Sequence, residues 1–156
     1  MGAEKMDEDW MREALRQARE ALDKDEVPVG CVVVHEGAAI GRAHNMRETL
    51  ADPTAHAEMI ALTQAASALG RWHLGGVTVY CTLEPCCMCA GAMVNARIDR
   101  LVFGLAEPKS GACGSVLNLL QMPGLNHRAE VTGGVLAGEA GELMRGFFLP
   151  RRKPEE

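Results

Sequence analysis

The sequence predicts an α/β domain in which helices cover both faces of a sheet. Predicted strands and helices alternate along the chain, and this alternation is typical of layered α/β folds. A length of 156 residues and an apolar content of 47% suit one domain with a substantial core. No internal repeat or linker interrupts the chain. We therefore treat residues 1–156 as one domain, with a core of about 7–150 and a charged tail at 151–156.

The first part of the chain predicts one helix and a pair of strands. Residues 7–23 indicate an amphipathic helix, because apolar side chains recur at helical spacing after an acidic start. Two strands follow within residues 27–45 and are joined by a turn at Glu36-Gly37. Residues 31–34 show no polar alternation, so we expect this strand to be central and covered on both faces.

The rest of the chain predicts further alternation of helices and strands. A loop at 46–53 precedes a helix at 54–69, for which Asp52 or Thr54 is the expected cap. The remaining predicted elements are a strand at 75–82, a helix at 85–96 opened by Pro85, a strand at 99–104, a glycine-rich loop at 105–115, a short helix around 116–120, a short strand within 127–135 and a closing helix at 138–150.

The composition of the chain restricts the classes of protein to which it can belong. No run of about eighteen apolar residues occurs, so no membrane span is expected. The acidic N-terminal segment lacks the apolar core of a secretory signal, and we expect a cytoplasmic protein. A net charge of −5 argues against broad coating of nucleic acid, although a local basic patch at the C-terminus is compatible with it.

Three of the six cysteines lie within four positions and indicate a metal site rather than a disulfide framework. On a helix, Cys86 and Cys89 lie about 60° apart, whereas Cys87 and Cys89 lie about 200° apart. The pair is therefore Cys86 and Cys89, and a helix N-terminus would stabilise their thiolates. We expect Cys87 to be a small core residue.

A His-x-Glu pattern, His56 and Glu58, complements the two cysteines. One imidazole and two thiolates leave the fourth position of a zinc ion open to water, as in catalytic sites. Glu58 is then placed to transfer protons. Because residues two apart face different ways on a helix, both can serve one site only at the end of the helix.

Two other interpretations of these residues compete with a catalytic zinc site. A thioredoxin-like Cys-x-x-Cys would leave His56 and Glu58 without a role. A zinc-stabilised binding module would need a fourth protein ligand, and none of the remaining histidines or cysteines has suitable spacing to the first three. Both interpretations explain less of the pattern than a catalytic zinc site does.

His-x-Glu followed by Pro-Cys-x-x-Cys resembles the cytidine/deoxycytidylate deaminase superfamily. Most closely, the chain resembles its branch of bacterial tRNA-specific adenosine deaminases, over about residues 7–153. The segments that carry the resemblance are "EVPVGCVVV", "DPTAHAEM", "TLEPCCMCAGAM", "VFGLAEPKSGACGS", "GLNHRAEVTGGVLAGE" and "FFLPRR". The zinc motifs are common to the superfamily, and the last three segments are more specific to the tRNA branch.

The resemblance implies a three-layer α/β/α fold with a central mixed sheet of five strands. It also implies one Zn²⁺ per subunit, held by His56, Cys86 and Cys89, with Glu58 as the proton shuttle. The implied reaction converts the wobble adenosine of a tRNA anticodon stem-loop to inosine, and the implied assembly is a homodimer. The alternative reaction within the superfamily is deamination of a free base or nucleoside, such as guanine or cytosine.

The resemblance also suggests substrate contacts. Asn45 matches a position that contacts the flipped base, and Glu107, Lys109 and Asn126 match positions that line the groove for the anticodon loop. Arg152 lies in the basic tail and is a candidate cationic contact. Glu107 departs from the family, which usually has Asp there. Without a substrate role, Asn45 would be a turn residue, Glu107 and Lys109 solvated loop charges, and the tail unstructured.

Overall fold

The computed structural model of the chain describes residues 2–151. The α-helices are α1 Gly2–Asp23, α2 Arg47–Leu50, α3 Ala57–Leu69, α4 Cys87–Ala96 and α5 Ala137–Phe148. The strands are β1 Gly30–His35, β2 Ala38–His44, β3 Val77–Leu83, β4 Arg100–Leu105 and β5 Glu130–Thr132. Two short 3₁₀ helices lie at Leu119–Gln121, between β4 and β5, and at Leu149–Arg151, after α5.

The five strands form one mixed sheet in the order β2-β1-β3-β4-β5. β1 is antiparallel to β2 and β3, whereas β3, β4 and β5 run parallel. β1 is buried from Gly30 to Val34, which confirms the expectation of a strand covered on both faces. The hairpin turn lies at Glu36-Gly37, where both residues have positive φ, as a two-residue turn with right-handed strands requires.

Helices cover both faces of this sheet and produce the predicted three layers. Val32 and Val34 of β1 pack with Met11 and Leu15 of α1 and with Ala140 of α5. The alternate side chains of the strands belong to a second core with α3 and α4. Because side chains alternate across a strand, one strand joins the two apolar layers. The α/β/α class predicted from the sequence is confirmed.

Several predicted boundaries were wrong, mostly by a few residues. α1 begins at Gly2, and the segment predicted as a loop at 46–53 contains the helical turn α2. The predicted helix around 116–120 is a 3₁₀ turn at Leu119–Gln121, whereas the short strand predicted within 127–135 is present as β5. Short elements such as these depend on tertiary contacts more than on local periodicity.

The helix starts near the cysteines and His56 also differ from expectation. Neither Asp52 nor Thr54 caps α3, since Asp52 accepts hydrogen bonds from the backbone N–H and the hydroxyl of Thr54, two residues on. α3 instead begins after His56, and α4 begins after Cys86 rather than at Pro85. Among the described residues, no helix is long and apolar enough to cross a membrane.

Candidate metal centre and catalytic cavity

The starts of α3 and α4 bring together three side chains that can bind a metal. His56 and Cys86 are the N-cap residues of α3 and α4, both with extended backbone, and Cys89 lies in the first turn of α4. The His56 Nδ1 atom is 3.6 Å from the Cys86 Sγ and 3.4 Å from the Cys89 Sγ. These ligand atoms form a group that could hold a metal ion.

The distances fit zinc. Tetrahedral zinc, with bonds of about 2.3 Å to sulfur and about 2.0 Å to nitrogen, would separate the nitrogen and sulfur atoms by about 3.5 Å. The two distances from His56 agree with that value. Cys87 is not part of the group, as expected, but it is exposed and the prediction of a core position was wrong. As the first residue of α4 it faces away from the core.

Hydrogen bonds within this group shift the pKa values of its three side chains in different directions. A hydrogen bond from Cys89, reinforced by one from His56, lowers the pKa of Cys86 to about 3. The hydrogen bond with Cys86, together with burial, raises the pKa of Cys89. The hydrogen bond with Cys86 raises the pKa of His56. Zinc binds thiolates, so a lowered pKa of Cys86 favours the form of that side chain that binds metal.

Glu58 lies beside the three ligands. It is the second residue of α3, its side chain is only 4% exposed, and it lines the same cavity as His56 and Cys86. Burial raises the pKa of Glu58, although its backbone N–H and the neighbouring His56 act in the opposite direction. A buried carboxyl group with a raised pKa next to a metal site is suited to accept and then donate a proton.

A cavity of about 230 Å³ opens above this group. Asn45 lines the cavity and is almost fully buried; its Oδ1 accepts a hydrogen bond from the Arg47 N–H, and its Nδ2 donates to the Val27 carbonyl. Glu107 also lines the cavity. The structure therefore brings two of the five predicted substrate residues to the metal group.

The other three predicted substrate residues are not in the lining. Lys109 and Asn126 are exposed and lie outside the residues that line the cavity. Arg152 lies outside the described residues.

Sequence reasoning missed several residues of the cavity wall. They are Arg47, Glu84, Ser110, Met144 and Phe148. Glu84 directly precedes the Pro-Cys motif, and this position next to Cys86 could have indicated that Glu84 lies near the site. Met144 and Phe148 reach the cavity from the end of α5, and no local pattern indicates that approach.

Comparisons with known sequences identify the family to which a chain with this site belongs. The family described as MafB19-like deaminase matches residues 5–152. A tRNA-specific adenosine deaminase of Bacillus subtilis (strain 168) is 49% identical over 150 residues, which are 96% of this chain and 93% of the relative. The protein of the same name from Aquifex aeolicus is 46% identical, over 92% of this chain and 94% of its own length.

Two solved structures are similar to this chain in fold. One, from studies of A-to-I editing by tRNA:A34 deaminases at the wobble position, has 43% identity and a TM-score of 0.82, covering 85% of this chain and 96% of its own. A guanine deaminase from Nitrosomonas europaea, with 24% identity and a TM-score of 0.76 over 88% and 81% of the two chains, shares the fold. The chain therefore belongs to the deaminases, in the family of the tRNA-specific adenosine deaminases.

Proposed function

We propose that this protein is a zinc-dependent enzyme that deaminates the wobble adenosine of a tRNA anticodon loop to inosine. The observation that carries the proposal is the convergence of His56, Cys86 and Cys89 on one point beside the buried carboxyl group of Glu58. The relatives that are 49% and 46% identical, both tRNA-specific adenosine deaminases, support the choice of substrate.

The chemistry follows from the roles of these side chains. His56, Cys86 and Cys89 would hold the ion through one nitrogen and two sulfur atoms. Zinc in such a site supplies Lewis-acid activation of water. Glu58 accepts the proton of the water that attacks C6 of adenine and delivers it to the ring nitrogen N1. A second transfer through Glu58 assists the departure of ammonia, so that adenosine and water give inosine and ammonia.

The cavity supports a substrate whose base is turned out of its stack. Asn45 presents a buried amide to the cavity and has hydrogen-bonding capacity beyond its bonds to Val27 and Arg47. Phe148, which is 47% exposed at the cavity edge, offers an aromatic surface for a base. An anticodon loop is single-stranded, so its bases can be displaced at modest cost.

An anticodon stem-loop that carries adenosine at the wobble position tests the proposal. The purified zinc-loaded chain should convert that adenosine to inosine, which sequencing of the product detects as guanosine. The same adenosine stem-loop incubated without the protein is the control for background. If zinc is bound and no inosine forms, the proposed function is wrong.

The free-base alternative has support only at the level of fold, from the guanine deaminase structure. Rates on guanine, cytosine and free adenosine, measured beside the stem-loop, separate the two functions. A tRNA enzyme should have a far higher kcat/KM for the stem-loop than for any of the three small molecules, because only the stem-loop contacts the surface around the cavity.

The proposal also covers the oligomeric state of the protein and its location in the cell. We propose a homodimer with one Zn²⁺ in each subunit, acting in the cytoplasm where the tRNA substrate is found. Sedimentation of the zinc-loaded chain would give a mass of twice 16.8 kDa for a dimer. Metal analysis on the same sample should give one zinc per chain.

A further inference from the structure

Glu84 is a buried carboxylate that the proposed chemistry leaves without a role. It lies between β3 and α4, directly before Pro85 and the metal ligand Cys86, and its side chain is 3% exposed. It lines the catalytic cavity but is not one of the metal-binding residues. A buried charge of this kind is stable only when it is well hydrogen-bonded.

The described residues donate four hydrogen bonds to this carboxylate, and all four come from one loop, residues 107–115. The Oε1 atom accepts from the Glu107 N–H at 3.0 Å and from the Ser115 hydroxyl. The Oε2 atom accepts from the Cys113 N–H and from the Ser115 N–H, both at 3.0 Å. Glu84 thus joins the two ends of the loop.

The loop also closes around the carboxylate sterically. A Cβ atom on Gly111 would lie 2.3 Å from the Glu84 Cδ and Oε2 atoms, so that a larger residue at position 111 would displace one of them. The loop is therefore fitted closely around the carboxyl group of Glu84.

This loop forms one wall of the cavity. Glu107 and Ser110 line the cavity, and the segment contains no helix or strand that would maintain its shape. The Ala112 N–H also donates to the Pro85 carbonyl at 2.8 Å, and other backbone hydrogen bonds run within the loop and to Leu117 and Leu119. The hydrogen bond from its N–H ties the position of Glu107 to the carboxylate of Glu84.

We infer that Glu84 is a positioning residue, which holds the loop 107–115 in the conformation that receives the RNA on either side of the reacting base. The inference rests on the proposed function. It assigns Glu84 no contact with the reacting atoms and no bond to the metal. Its effect is on substrate binding, through the loop that carries Glu107.

The main test is Glu84→Gln, which keeps the size of the side chain but replaces one acceptor oxygen with a donor. We expect the KM for the anticodon stem-loop to rise by at least about tenfold, the effect of one lost charge-assisted hydrogen bond. We expect kcat to change much less and zinc content to stay at one per chain. Hydrogen exchange should become faster at the N–H groups of Glu107, Cys113 and Ser115.

Two further variants keep the inference testable if Glu84→Gln does not fold. Ser115→Ala removes one donor and should raise the KM in the same direction by a smaller factor. Gly111→Ala presses on the carboxylate from the loop side and should also raise the KM. Gly138→Ala is the matched control, because a Cβ there meets nothing within 4 Å, and its kinetics should equal those of the unmodified chain.

The outcomes separate this inference from the proposed function. If the unmodified chain makes no inosine, the proposed function fails before Glu84 is tested. If it does and the variants at 84, 111 and 115 have unchanged KM values, the positioning role is wrong. Loss of zinc and of kcat with an unchanged KM would place Glu84 in support of the metal site instead and would also overturn the inference.

Discussion

At the scale of single residues, the central question is how His56 and Glu58 serve one site. Two positions apart on a regular helix they would point in different directions. The structure avoids this conflict because His56 precedes the helix, with φ of −71° and ψ of 149°, whereas Glu58 is inside its first turn. The change of backbone conformation between them directs both side chains into the cavity.

Glu58→Gln tests the proton-transfer role. The amide keeps the size of the side chain but cannot accept the proton, so kcat on the stem-loop should fall by about 10²- to 10⁴-fold. Zinc content should be unchanged, because Glu58 is not one of the three ligands. Product formation at the rate of the unmodified chain would show that Glu58 has another role.

The adjacent cysteines allow a matched pair of variants. Cys86→Ala removes a ligand sulfur and should abolish both zinc binding and turnover. Cys87→Val changes an exposed side chain outside the ligand group and should preserve both. Metal analysis by mass spectrometry, with turnover measured on the same samples, distinguishes them. Loss of zinc from Cys87→Val would mean that the ligand pair is misassigned.

At the scale of elements, α2 is a single helical turn that a buried carboxylate holds in place. Glu26, 1% exposed, accepts hydrogen bonds from the Glu48 N–H, the Thr49 N–H and the Thr49 hydroxyl. A four-residue helix has little stability of its own. Since Arg47 of this turn lines the cavity, Glu26 supports a second part of the cavity wall.

The pH dependence of stability tests this support. Burial alone would raise the pKa of Glu26, but the hydrogen bonds from Thr49 and Glu48 lower it below its ordinary value of 4.5. The stabilisation by ionised Glu26 is therefore complete above pH 4.5 and is lost as the pH falls through the lower folded-state value.

The measurement is the free energy of unfolding of the unmodified chain and of Glu26→Gln across this range of pH. The gap between them should be largest above pH 4.5 and should narrow as the pH falls. Glu20→Gln, an exposed change on α1, is the control. A gap that does not vary with pH would contradict the role given to the charge of Glu26.

At the scale of the whole molecule, one buried network ties α1 to three strands. Asp7 of α1 accepts hydrogen bonds from the Tyr80 hydroxyl of β3 at 3.0 Å and from both terminal nitrogens of Arg100 on β4. Arg100 also donates to the Thr132 hydroxyl of β5. Burial, with the hydrogen bond to Asp7, raises the pKa of Tyr80, so the phenol stays a donor.

Removing the arginine should destabilise the fold. Arg100→Met leaves the carboxylate of Asp7 buried with only the tyrosine hydroxyl, and we expect a loss of about 3 kcal/mol in the free energy of unfolding. Arg16→Met breaks an exposed pair with Glu13 and should change it by less than about 1 kcal/mol. Denaturant unfolding of both variants makes the comparison. Equal small effects would show that the network contributes little.

Much of the fold was predictable because its main elements have clear periods. The amphipathic pattern of α1 and the unbroken apolar run of β1 reflect burial that is repeated along each element. The boundaries near the site were less predictable, because Asp52 and Thr54 bond to each other rather than to the start of α3. Their side chains are typical of caps, and either arrangement fits the sequence.

By itself, the sequence determined the class of fold and the candidate metal-binding side chains, since both depend on residue types in recognisable patterns. Only the tertiary structure decided that Cys87 is exposed, that Phe148 reaches the cavity from α5 and that Glu84 holds the loop 107–115. The contacts of Phe148 and Glu84 join residues far apart in the chain. Packing and the need to satisfy buried charges create them, and no local pattern encodes their partners.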